Sequence, residues 1–326
     1  MRLPVSAVLL AVCLAVFLTA SSLTAAQDYP ARPVSVIVPF STGSASDVIA
    51  RILLERMGNS MGQRFIVDNR PAAGGVAGTT AAAKMPADGY TIVMGASGPM
   101  VVNKVLNPDI GFDPEKDFQP ISIYANLPNV AVVTAKLPVN TLAELIEYVK
   151  KTPNVPYSSV GNGSSQHLAG ALFEQLVGAK MQHVPYRITS QLQADLVSGQ
   201  VPTSFQLVPN VIGAIRSNQV RPLAVASKQR LPALPNVPTA AEAGLKGWES
   251  SAWFGFFGPR GMPRPMVDRL NKEVAAAIAE PAVRDRFTEF GAEPLTSTPE
   301  ELGRHVSSEL IRWRDIITKA GIKLEQ

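Results

Sequence analysis

Hydroxyls and glycines recur at two places in this chain in an order that suits anion binding, the second place adding a histidine. Val36–Asp47 reads VIVPFSTGSASD and Val155–His167 reads VPYSSVGNGSSQH. In both, a strand runs through a Gly/Ser loop into a helix. A helix N-terminus offers unpaired N–H donors and the positive end of its dipole, and glycine lets a ligand approach the backbone closely. Ser41, Thr42 and Ser44 add hydroxyl donors around Gly43, and Ser164 and Ser165 do so beside Gly163. Ser44 stands three residues before Asp47, as in a capping box, so Asp47 reads as a helix-start residue rather than a catalyst. His167 falls in the first turn of its helix, where positive charge is disfavoured, so a neutral imidazole donating one hydrogen bond fits there. Neither loop has the Lys-Ser/Thr of a nucleotide P-loop, and neither is GxGxxG. Donors without a strong cation suit a small carboxylate better than a triphosphate. Gly/Ser turns also start many helices that bind nothing, but two of them in different halves predict a ligand cleft between two lobes.

Other constellations are weaker. His167, His183 and His305 lack metal-ligand spacing, so neither a metal nor another cofactor is expected. Ser165, His167 and Asp195 can be drawn as a nucleophilic triad of a secreted hydrolase, but no GxSxG elbow accompanies them. His305 reads as partly exposed, and Trp248 and Trp253 as core.

The elements that must position these loops follow from composition and pattern. The chain has 326 residues, 46% hydrophobic, enough for more than one ordinary domain. Only 17% are charged, against a typical ~25%. The net charge of +4 comes from 30 Lys+Arg against 26 Asp+Glu with no basic run, which argues against a nucleic-acid partner. Residues 3–26 carry no charge. Arg2, the apolar stretch Val5–Ala20 and the small residues Thr24-Ala25-Ala26 have the form of a secretory signal peptide over 1–26, cleaved before Gln27. The other reading, an uncleaved anchor, needs a span of ~20 residues, and this stretch is shorter. Cys13, the single cysteine, lies inside the apolar run, a poor lipoprotein processing site. The expected product works outside the cytoplasmic membrane, held by core packing without disulfides.

Strand and helix patterns alternate to the end, which predicts α/β architecture with mostly parallel sheets. Strands are expected at Val34–Phe40, Phe65–Val67, Tyr90–Met94, Asn129–Thr134, Val155–Ser159 and Pro222–Ser227, with an apolar segment at Trp253–Phe257. Val48, Ile49, Ile52, Leu53 and Met57 mark a helix face stopped by Gly58. Thr141 with Glu144 opens a helix over Leu142–Lys151, and Thr298-Pro299 with Glu301 opens the last one.

At whole-chain level the sequence resembles the periplasmic receptors of tripartite tricarboxylate transporters, the Bug or TctC-like family. The motifs that carry the resemblance run in the family's order. They include YPARPVSVIVPF (Tyr29–Phe40), VDNRPAAGG (Val67–Gly75), PADGYTIVMG (Pro86–Gly95) and SSVGNGSSQHLAGALF (Ser158–Phe173). HVPYR (His183–Arg187), LPNVPTAAEAG (Leu234–Gly244) and IRWRDIITKAGI (Ile311–Ile322) complete the set. The resemblance implies a two-lobed periplasmic-binding-protein fold, type II-like, crossing between lobes near Ala125 and near Phe254. One lobe would comprise 27–125 plus 255–326 and the other 126–254. It implies no enzyme but a monomeric receptor that hands a small organic acid to membrane permease subunits; a sensor partner would use the same binding chemistry. Carried onto this chain, the ligand-binding residues are Phe40, Ser41, Thr42, Gly43 and Ser44 in one lobe. In the other they are Gly163, Ser164, Ser165 and His167, with Tyr186 nearby. Three departures stand out: Thr42-Gly43-Ser44 replaces Pro-Gly-Gly, Arg187-Ile188 replaces Lys-Gly, and Gln206 replaces the Asp after Phe205. Asp could receive a ligand ammonium and neutral Gln cannot match that charge. The expected ligand is therefore a di- or tricarboxylate or an aromatic acid without an amine.

Overall fold

The computed structural model describes residues 29–320. The segment read from sequence as a signal peptide, with Cys13, lies outside them. In chain order the first part contains β1 (Val34–Val38), α1 (Ala45–Met61), β2 (Phe65–Asn69), α2 (Val76–Ala83) and β3 (Thr91–Ala96). A π-helical turn over Gly98–Val102 runs into α3 (Asn103–Leu106), and β4 (Phe118–Thr134) follows. The middle part holds α4 (Leu142–Lys151), β5 (Val155–Ser159), α5 (Ser165–Val177), β6 (Met181–Pro185), α6 (Thr189–Ser198), β7 (Thr203–Leu207), α7 (Val208–Arg216) and β8 (Val220–Val225). The chain returns through β9 (Ser251–Pro259), α8 (Arg264–Ala279), α9 (Pro281–Glu289), β10 (Glu293–Pro294) and α10 (Pro299–Ala320).

The strands pair in the order β2-β1-β3-β9-β4-β7-β5-β6, with β10 and β8 also on β4. The outer units are parallel: β1 lies between β2 and β3, and β5 between β6 and β7. The inner pairings, all antiparallel, involve β9 and β4. Along β4 the partner changes. Phe118–Pro128 pair with β9, whereas Asn129–Thr134 pair with β7 and β8. One strand thus passes through both lobes.

Each parallel unit buries apolar side chains on both faces, as sheets covered by helices do. In the first lobe, Ile49, Leu53 and Met57 of α1 and Leu270 and Val274 of α8 pack with Val36, Val38 and Phe256. Leu302, Val306 and Leu310 of α10 cover Ile37, Val93 and Phe257 on the other side. In the second lobe, Tyr157, Phe173, Phe205 and Trp248 form an aromatic core, in which Trp248 Nε1 donates to the Ala169 carbonyl at 2.9 Å.

The capping motifs act as the sequence predicts. Thr141 Oγ1 accepts from Glu144 N at 3.1 Å. Thr298 and Glu301 bond reciprocally, at 2.8 and 3.1 Å. Most expected strand ends shift by one or two residues, as in β8, and two larger differences stand out. Gly58 does not stop α1, which continues to Met61 and ends at Gly62 with φ of 67°. A Cβ at Gly58 would stand 3.1 Å from the Gln63 carbonyl oxygen, so packing explains that glycine better than a cap. The strand expected over Asn129–Thr134 is the second half of a 17-residue strand.

Candidate functional site

The two Gly/Ser loops have one backbone design. Ser44 N donates to the Ser41 carbonyl and Ser164 N to the Gly161 carbonyl, in each case three residues back. Ser44, at φ −69° and ψ 161°, caps α1 through the Asp47 N–H. Ser164, at φ −68° and ψ 159°, caps α5 through the His167 N–H. The preceding glycines are left-handed, at φ 76° for Gly43 and 71° for Gly163, a region costly for other residues. Their N–H groups turn onto the helix: Gly43 N donates to Asp47 Oδ2 at 2.9 Å, and Gly163 N to His167 Nδ1 at 3.1 Å.

Ser44 and Ser164, from opposite lobes, line one cavity of about 30 Å³. Phe40, Ser46, Ser97, Ser165, Gln166 and Asn210 are among its other walls, and no wall residue is ionisable. The site offers helix-terminal N–H groups, hydroxyls and two carboxamides. Such an array can hold a carboxylate by charge-to-dipole hydrogen bonds. A volume of this size admits about one water molecule, so an organic acid enters only when the lobes separate. A larger groove of about 990 Å³ lies alongside, lined by Leu168, Leu172, Trp253, His305 and Trp313. It reaches Ser97 and Ser165 but neither cap serine, so the helix termini do not converge on it.

The other predicted residues are distributed as follows. Ser41 is buried and bonded across the lobes to Thr189, with 2.9 Å between the hydroxyl oxygens. Thr42 is exposed and donates to Asn69 Oδ1. Gly43 is exposed too, and a Cβ there would meet nothing within 4 Å. Tyr186 is turned into its own lobe, its hydroxyl donating to Asp195 Oδ2 at 2.6 Å. Burial, and then that bond, pushes the phenol pKa up. Gln206 is fully buried behind the cavity wall and meets it only through Asn210.

His167 is an acceptor at Nδ1, not solely the donor expected, and stacks on His183 with ring centroids 4.1 Å apart. Burial lowers its pKa to about 4, and burial with the neighbouring His167 lowers that of His183 to about 3. The triad drawn from the sequence is not assembled. Ser165 Oγ donates to Gln166 Oε1, and Asp195 receives Tyr186.

Ser46, Ser97, Gln166, Thr189 and Asn210 were not singled out from sequence. Ser46 and Gln166 hold equivalent second positions of α1 and α5, so the helix-terminus argument carried two residues further finds them. Asn210 had a fainter signal, a second carboxamide four residues after Gln206 in an otherwise apolar stretch.

A two-lobed α/β molecule with paired helix N-termini at the lobe junction is the architecture of an extracytoplasmic solute-binding protein. The chain belongs to the family described as tripartite tricarboxylate transporter family receptor, which it matches over residues 49–322. It is 36% identical over 302 residues to protein BugT of Bordetella pertussis, covering 92% of this chain and 93% of BugT. Among solved structures it resembles an R. palustris protein with adipate, with TM-score 0.88 and 36% identity over 91% of this chain and 99% of that one. It also resembles MatC from Rhodopseudomonas palustris with bound malate, with TM-score 0.83 and 33% identity over 88% of this chain and 99% of that one. No helix among the described residues is long and apolar enough to cross a membrane.

Proposed function

We propose that this chain is a periplasmic receptor, exported by its N-terminal signal, that captures a small organic carboxylate without an amine and passes it to the permease subunits of a tripartite tricarboxylate transporter. One observation carries the reading: two helix N-termini from different lobes meet at a cavity walled by hydroxyls and amides. The rejection of amines is supported by the same walls, which hold no carboxylate for an ammonium. Asp47, in the first turn of α1, is engaged by Gly43 N, Asn69 Nδ2 and Arg51 Nε. The acid favours closure by touching both lobes; a ligand with equal contacts in the open and closed forms would shift nothing. Binding without chemistry fits Ser165 and His167, whose bonds run to other partners.

The ligand-binding set we propose is centred on Phe40, Ser44, Ser164 and Ser165, extended by Ser46, Ser97 and Gln166. In place of crossings near Ala125 and Phe254, we set the lobe limits at Pro128/Asn129 and Ser250/Ser251, a reading supported by the change of partner along β4. Calorimetry on residues 27–326 with citrate, malate, adipate, terephthalate and glutamate tests the reading. Binding is expected for an acid lacking an amine; glutamate as the tightest ligand, or no binding by any acid, would overturn it.

A further inference from the structure

Among the bonds that tie the lobes together, which include the Ser41–Thr189 hydroxyl pair and the Arg216–Glu289 ion pair, two take a helix-terminal backbone N–H, and they are reciprocal. Ala45 N, the first N–H of α1 in one lobe, donates to Asn210 Oδ1 of α7 in the other, at 2.6 Å. Thr189 N, the first N–H of α6 in the second lobe, donates to Ser41 Oγ of the first, at 3.1 Å. Each lobe lends a neutral oxygen to a helix N-terminus of its partner.

The Asn210 carboxamide is held for this task. It is 2% exposed, and its Nδ2 donates to Gln206 Oε1 at 2.8 Å. Gln206 Nε2 in turn donates to Ser204 Oγ at 2.8 Å. With the nitrogen end satisfied inside its own lobe, only the oxygen end faces α1. That oxygen takes an N–H that could otherwise hold a ligand carboxylate, and it does so in a cavity of about 30 Å³.

We propose that Asn210, assisted by Ser41, is a built-in competitor of the ligand: a latch that caps α1 with an amide oxygen and must let go before an organic acid can bind. The proposal rests on reading the cavity as the carboxylate site. The latched arrangement and a seated dicarboxylate exclude each other by volume. Apparent affinity therefore scales with the fraction of molecules in which the latch is open. It also gives Gln206 a role through its neighbour, as the acceptor that orients Asn210.

The test uses the mature receptor as wild type, Asn210→Ala and Asn210→Asp. Small-angle X-ray scattering without added acid reads lobe separation, and calorimetry with adipate as the probe reads affinity. Asn210→Ala is expected to give a more extended scattering profile and about 2- to 12-fold tighter adipate binding, the equivalent of one net hydrogen bond. Asn210→Asp keeps an acceptor, now charged, at the α1 terminus, so it is expected to stay compact and bind adipate more weakly. If Asn210→Ala does not fold, Ser41→Ala removes the other half of the latch and leaves the buried amide chain intact; the same expansion is expected. A compact Asn210→Ala or Ser41→Ala, or an Asn210→Ala that folds and binds adipate no tighter than wild type, overturns the latch. If wild type binds none of the acids, the receptor reading fails, while scattering still decides the latch.

Discussion

Aligned residue for residue, Gly43–Asp47 and Gly163–His167 share a left-handed glycine and a serine cap, and close the turn with different chemistry. Asp47 receives the Gly43 N–H on a carboxylate, and His167 receives the Gly163 N–H on a neutral imidazole. The positive end of α1 therefore already has a negative charge beside it, whereas that of α5 has none. The loops also differ in setting. A Cβ on Gly43 would enter open space, but one on Gly163 would lie 2.5 Å from Asn103 Oδ1, a residue of the opposite lobe. The lesson is that one turn can serve two ends: the first loop is a self-contained cap, and the second is neutral, packed against the other lobe and better suited to receive the anion.

The largest effect that would sharpen this contrast is a pH response from the His167–His183 pair at the second loop, to which His305, also held below its ordinary pKa by burial, adds in the same direction. In the folded chain His167 and His183 are held near 4 and 3, against an ordinary 6.5. Between those values the unfolded chain binds more protons, so stability falls as pH drops through 6.5 and levels off below the folded values. Moving from pH 7 to 5 should cost about 2 kcal/mol for each histidine. Urea titrations check this, and His167→Asn, which keeps an acceptor for Gly163 N, should remove about half the loss. Equal stability at pH 7 and 5 would break the comparison. Next in size, Asp47→Ala should cost about 3 kcal/mol, because it strips one buried carboxylate from three donors; the same titration at pH 7 reads it.

Smaller is the expected effect of His167→Asp, which gives the second loop the charge of the first. Adipate affinity should drop about tenfold through repulsion at α5, with folding retained. Unchanged affinity would mean that the anion does not sit there. Smallest is the contrast between two alanines. Gly43→Ala should cost only the ~1–2 kcal/mol of a left-handed residue and leave binding alone. Gly163→Ala adds a clash with Asn103 and should weaken binding too. Calorimetry that shows the reverse pattern would exchange the roles assigned to the loops.

Much of this was legible in the sequence because it is local. Cap serines, their partners three residues on and the apolar stripe of α1 are readable within a dozen residues. The run of β4 was not, since Pro120, Pro128 and two asparagines interrupt its pattern; tertiary pairing with β9 overrides them. Neither was Gly58, whose cause is crowding from Gln63 rather than a helix stop. Asn210 eluded the reading for a deeper reason: its partner Ala45 is 165 positions away, and no local pattern encodes that contact. The Gln206 substitution was visible, but not that its side chain is buried and bonded to Asn210 of the cavity wall.

The uninterrupted passage of β4 through both halves has a mechanical corollary. Its ladder register shifts between Pro120 and Ser122, between Ile123 and Ala125, and between Ala131 and Val132. A joint built this way behaves as a torsion bar rather than a swivel, with its compliant points set by those irregularities. The angular travel of the receptor is thus rationed by the twist one extended ribbon can absorb, and neither half could be excised without tearing a strand from the other's sheet.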